Sequence, residues 1–126
     1  MLGNVLRNIV SSDPEGIKEN GIKVSAGEVL SKWSELAAEY VMNGRSALKM
    51  YIDIEWKEGG VFGMGGTKHC YKGTYRLESV MKSGKYVLLN VYSHDPDEAF
   101  TIKLLPEHEV YLSSGNMKHL RGIFGL

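Results

Sequence analysis

The stretch KYVLLNVY, residues 85–92, is apolar on both sides of an extended chain. Successive side chains of a strand point to opposite faces. Val87, Leu89 and Val91 therefore share one face, and Tyr86, Leu88 and Tyr92 share the other. A strand apolar on both faces is covered on both. This segment accordingly asks for a sheet with a layer on each side: helices on one, and sheet closure, a second subunit or a ligand on the other.

Reading outward, the same period continues. Upstream, YKGTYRLESV (71–80) is strand-like and MKSG (81–84) turns the chain. Further upstream, ALKMYIDIEWK (47–57) alternates cleanly, with Leu48, Met50, Ile52, Ile54 and Trp56 on one face and Lys49, Tyr51, Asp53, Glu55 and Lys57 on the other. Downstream, SHDPDE is a loop around Pro96, AFTIKLL (99–105) a fourth strand and EVYLS (109–113) a short fifth after Pro106. Short connections make sequential strands antiparallel, which predicts a meander.

The amino-terminal third has helical spacing instead. Leu2, Val5, Leu6, Ile9 and Val10 fall on one helical face, and Ser11 to Pro14 end that segment. Asn20-Gly21 between Ile17 and Ile22 marks a tight turn. Ser25 followed by Glu28 is a capping box, and Val29, Leu30, Trp33, Leu36, Ala37, Tyr40 and Val41 form an apolar stripe, which predicts a helix over 26–43 that closes at Asn43-Gly44. The expectation is one α+β domain over 1–126, helical over 1–44 and antiparallel sheet over 45–126. Its N-terminal helices pack on a five- to six-stranded antiparallel meander, curled or partly closed into a barrel. The tail, with Leu120, Ile123, Phe124 and Leu126, is read as a last strand or a docking segment, and it should be covered.

Composition narrows the function classes. The chain has 126 residues, 43% hydrophobic and 24% charged, which is ordinary for a globular domain. Fifteen basic residues balance 15 acidic ones, so the excess of positive charge that duplex binding requires is missing. Nucleic acid would need Lys57, Lys68, Lys72 and Arg76 gathered into one patch. One cysteine forms no internal disulfide and suits a reducing compartment. The first residues lack a basic signal-peptide region, and no apolar run has the ~20 residues of a membrane span. A cytoplasmic, soluble protein without a membrane partner is expected.

The segment GGVFGMGGTKHCYKG (59–73) holds the densest glycine in the chain. It nearly matches a P-loop, but Gly66 stands where the phosphate-binding lysine belongs, and a strand rather than a helix follows. Lys68 occupies the third glycine position of a dinucleotide-binding fingerprint. The run is expected to be a long, mobile β-connection, or a loop that orders on a partner. His69 and Cys70 are adjacent, so on a strand they point apart and form no dyad. A nucleophilic Cys70 would need His94, His108 or His119 brought to it by the fold. His94, Asp95, Asp97 and Glu98 are the densest group of metal-ligand types, yet a polar turn around Pro96 accounts for them. No cofactor is expected.

Tyrosine is the more telling residue. Tyr71 and Tyr75 share a face, as do Tyr86 and Tyr92. An aromatic ring with a polar tip suits interfaces and pockets. No motif assigns the chain to a family. The expected function is a non-enzymatic binding or assembly module for a protein partner or for itself, most simply a homodimer. Its candidate binding residues are Tyr71, Tyr75, Tyr86, Leu88, Tyr92, Phe62, Met64, Lys68 and His69. The alternative is a binder of a small apolar ligand, or a small enzyme, with a pocket inside the curl near Trp56, Tyr75, Tyr86 and Cys70.

Overall fold

The computed structural model describes residues 13–41, 48–61, 64–94 and 96–126. The segment read as a first helix, 2–10, lies outside them. Six antiparallel strands form one sheet: β1 (Ile22–Ser25), β2 (Lys49–Glu58), β3 (Thr67–Ser83), β4 (Tyr86–His94), β5 (Asp97–Leu104) and β6 (Glu109–Ser113), in the order β1-β6-β2-β3-β4-β5. The middle of the sheet is the expected meander. The last strand departs from it, because β6 crosses back to pair with β2 on one side and β1 on the other. Pro106 ends β5, and the following residues carry the chain away from its neighbour.

Burial follows the alternation. Met50 and Ile52 of β2, Leu77 and Val80 of β3, Val87, Leu89 and Val91 of β4, Ile102 and Leu104 of β5, and Val110 and Leu112 of β6 make one core on a single face. β3 is 17 residues long and its register shifts between Leu77 and Ser79, so a bulge at Glu78 exchanges the faces of its two halves. Bulges bend the strand that carries them. The first half of β3 pairs with β2 and the second with β4, so the bend curls the sheet over its core without closing it into a barrel.

Helices cover the core face. The capping box forms as the sequence implies, with the Glu28 amide donating to Ser25 Oγ at 3.1 Å and the Ser25 amide to Glu28 Oε1 at 3.3 Å. Within the described residues the expected single helix over 26–43 is divided, however, and its expected close at Asn43-Gly44 lies outside them. It runs as a helix at Ala26–Ser31, breaks at Lys32, resumes at Trp33–Leu36 and widens to a π-turn over Ala37–Val41. Ser31 Oγ donates to the Glu28 carbonyl at the break, a back-bond that bends helices. Val29, Leu36 and Tyr40 still reach the core. The tail is a third helical piece, Met117–Ile123, capped by Asn116 and anchored by fully buried Leu120. Ile123 and Phe124 pack against the core.

The other face is covered in part. A short helix at Ile17–Asn20, unforeseen from the sequence, packs on β6 and β2 with Ile17 buried. Tyr51, which alternation places on this outer face, is buried there beside Tyr111. Gly21 makes the tight passage into β1, since a Cβ would lie 2.4 Å from the Leu112 carbonyl oxygen. β1 follows the Asn20-Gly21 turn and has no sequence signature of its own: four residues are too few for a visible period.

Candidate functional site

The glycine-rich segment is a hairpin tip. β2 and β3 stay paired to Glu58 opposite Thr67, so β3 begins four residues before the expected Tyr71 and takes His69 and Cys70 into the ladder. Beyond that pair, Val61 and Met64 exchange backbone hydrogen bonds of 2.9 Å in both directions. Gly59, Gly60, Gly65 and Gly66 all have positive φ. At Gly66 a Cβ would also meet the Glu58 carbonyl at 2.8 Å, so glycine is required by shape as well as by conformation. A strand, β3, follows at Thr67 where a P-loop would open a helix, and the described residues of the tip form no amide cradle.

The pairing that sequence reading did not reach explains what lies at the base of this hairpin. Trp56 stands opposite His69 and Ile54 opposite Tyr71, so Trp56, Glu58, His69 and Tyr71 project from the core face. The curl brings them to the free edge of β5, 45 residues away in the chain. There Trp56 Nε1 donates to the Lys103 carbonyl at 3.0 Å, and the Lys103 amide donates to the Tyr71 hydroxyl at 3.1 Å. The Lys103 side chain emerges on the other face, and Nζ donates to Glu58 Oε2 at 2.7 Å. His69 completes the circuit, with Nε2 2.8 Å from Glu58 Oε1 and Nδ1 3.0 Å from the Tyr71 hydroxyl. The Trp56 and His69 rings stack at 4.7 Å, and Lys103 Nζ sits 4.1 Å from the centre of the Tyr86 ring.

One arrangement of hydrogens satisfies every member. Tyr71 accepts from the Lys103 amide, so its proton is free for His69 Nδ1. His69 Nε2 then carries a proton and donates to Glu58. Hydrogen bonds from Lys103, His69 and Tyr86 hold the Glu58 carboxyl well below its ordinary 4.5, at about 2. Lys103 is raised in turn, chiefly by its bond to Glu58. A carboxylate so held has no proton to give near neutrality and is a weak base. The cluster clasps the sheet edge, and among the described residues no buried side-chain nitrogen or oxygen lacks a partner.

His69, Tyr71 and Tyr86 are thus brought together, whereas the other candidates are not. Tyr75 packs edge-on against Phe100 at 5.1 Å, and its burial pushes the phenol up. Tyr92 donates to Asp97 and lies under Arg76 on the outer face. Leu88 is half-buried on that face beside Met81. Lys68 pairs with Glu55 at 2.7 Å, which raises its pKa. Met64 is exposed, and Phe62 lies outside the described residues. Cys70 is exposed on the outer face, opposite Glu55 rather than near a histidine. Glu58 and Lys103 were missed because only the curl joins them.

Among the described residues, no group of His, Cys, Asp and Glu is arranged to hold a metal ion, and no helix is long and apolar enough to cross a membrane. Grooves among the described residues include two outside the curl. One, of about 850 Å³, runs between the Trp33–Val41 segment and the C-terminal helix. The other, of about 670 Å³, lies beside Tyr86 and is floored by Leu30, Val87, Leu105 and Pro106. No family model, curated protein or solved structure matches the chain.

Proposed function

We propose that the protein is a non-enzymatic binding and assembly module that joins protein surfaces, its own included. The observation that carries this reading is the contrast between its polar and apolar groups. The side chains with chemical potential, Glu58, His69, Tyr71 and Lys103, are committed to one another. The large apolar side chains that remain exposed, Val61, Met64, Met81 and Leu126 among the described residues, stand outside the core. Val61 and Met64 project on a hairpin, and Met81 faces Leu88 across the outer sheet surface. Zero formal net charge removes the long-range repulsion that keeps copies apart.

A second reading rests on the groove beside Tyr86. Its apolar floor with Lys82, Lys85 and Glu107 around it suits a small ligand with an apolar body. Sedimentation velocity and native mass spectrometry from about 1 to 100 µM separate the two, a range set by typical weak assembly affinities. Assembly above the chain mass of 14.0 kDa that grows with concentration supports the module. A monomer throughout, carrying a retained small molecule, supports the ligand binder instead.

A further inference from the structure

The free edge of β5 is closed at one end and open at the other. In the hairpin joining β3 and β4, Ser83 pairs with Tyr86 across a two-residue turn, so the even residues of β4 bond to β3. The odd residues of β4 then bond to β5, through Leu104, Ile102 and Phe100. By the same alternation Lys103, Thr101 and Ala99 turn their N–H and C=O groups outward. The capping of Lys103 by Tyr71 and Trp56 agrees with this assignment. Among the described residues Ala99 and Thr101 have no such cover, and their side chains are exposed. Exposed edges of this kind are templates for another strand.

We infer that this open edge pairs with the same edge of a second copy, antiparallel about a two-fold axis at Ala99. The inference rests on the assembly reading above and names its interface. Three features select a second copy. First, the outward residues are symmetric about Ala99: Ala99 meets its own counterpart and Thr101 meets Asp97. On the order of six backbone hydrogen bonds would form. Second, the clasp at Lys103 stops the pairing there and excludes the register centred on Phe100, in which Asp97 would have to pair with Lys103. Third, in the Ala99 register no two like charges stand directly opposite, and the small Ala99 side chain admits close approach at the axis. Asp97 and Glu98 still gather near the axis, so added salt should tighten the pairing by screening them.

The test uses the full chain with Cys70→Ser, because Cys70 is exposed. Ala99→Cys should oxidise to a covalent dimer, since opposed residues of a hydrogen-bonded antiparallel pair lie at a Cα separation of about 5.5 Å, within disulfide reach. Thr101→Cys should not, because its counterparts sit roughly four residues, about 13 Å, apart along the ladder. Thr101→Pro removes an outward N–H and should raise the dimer dissociation constant at least tenfold. If that variant fails to fold, the cysteine pair decides. Self-association that survives Thr101→Pro, with no Ala99→Cys cross-link, overturns this interface but leaves the assembly reading standing. A monomeric parent at every concentration overturns both. Cross-linking at Thr101→Cys as readily as at Ala99→Cys overturns the register. Pairing that weakens as salt is added overturns the self-pairing and favours a basic peptide as the occupant.

Discussion

At Lys103 the outward N–H and C=O of β5 are taken by Tyr71 and Trp56, while at Thr101 and Ala99 the equivalent groups have no such cover among the described residues. Strand, sheet and local alternation are the same in both places. What differs is the reach of the hairpin formed by β2 and β3, whose base wraps the C-terminal half of β5 and leaves the N-terminal half uncovered. An edge can thus be protected by side chains instead of a ladder, and only as far as those side chains extend. The largest test of that protection is Trp56→Ala. It removes the bond to the Lys103 carbonyl, the stack on His69 and a ring packed against the core. Because the ring is only partly buried, the cost should sit near the low end for such truncations, about 3 kcal/mol, measured by urea denaturation. A loss under about 0.5 kcal/mol, the level of surface substitutions, would show that the clasp contributes little.

Tyr71→Phe is narrower. It keeps the ring and deletes the hydroxyl that joins His69 to the Lys103 amide. The expected loss is about 1 kcal/mol, typical of one net hydrogen bond with a partner left short. Amide exchange gives the sharper readout. In the dilute parent protein the Lys103 amide should exchange slowly and those of Ala99 and Thr101 quickly. In Tyr71→Phe all three should be fast. Equal rates at all three positions in the parent would remove the difference between the two halves of β5.

How much of this was legible in the sequence depends on chain distance. The alternation of β2 and β4, the presence of β5 and β6 and the Ser25–Glu28 cap are local patterns that formed as read, except that β5 begins two residues early, at Asp97, within the expected loop. The bulge at Glu78 has no sequence signature, yet it curls the sheet and so places Glu58 beside Lys103. His69, Tyr71 and Tyr86 could be named as candidates from residue type, but not as members of one cluster. A signal was present nonetheless. Extending the second strand back to Thr67 sets Trp56 opposite His69 and Glu58 at the hairpin base. The glycine pairs hid this, because they read as loop while in fact shaping a tip. β1 and the C-terminal helix were lost for the opposite reason: each is too short for its period to stand out, and both are held by tertiary contacts.

Acid separates the clasp from the rest of the fold. The Glu58 carboxyl lies at about 2 in the folded chain against an ordinary 4.5, so the folded state binds this proton less readily than the unfolded state. Its stabilisation is therefore fully present above about pH 4.5 and is lost as pH falls from there through about 2. His108 is also lowered from its ordinary 6.5, by burial, so it contributes a second loss that begins as pH drops below 6.5. Glu58→Gln should flatten the lower window and leave the upper one unchanged. Thermal denaturation followed from pH 7 to 2 checks this. A parent and variant that lose stability in parallel below pH 4.5 would mean the carboxylate is not held by Lys103 and His69.

The smallest effect belongs to the open half of the edge. Proline inside a paired strand removes a ladder bond and leaves the facing carbonyl without its donor, which costs on the order of 1–3 kcal/mol. By the alternation the Thr101 N–H points outward, with no partner among the described residues, and edge positions of this kind are where strands accept proline. The side chain offers one bond, Oγ1 donating to Asn90 Oδ1 at 2.6 Å on an exposed face. Its loss, with the tightening of φ, should keep the cost of Thr101→Pro within about 1 kcal/mol when the protein is dilute enough to be monomeric. Urea denaturation at low micromolar concentration measures it. A cost of about 3 kcal/mol would place the Thr101 N–H inside the β4–β5 ladder. The alternation would then be reversed, and with it the contrast between the capped and open halves of β5.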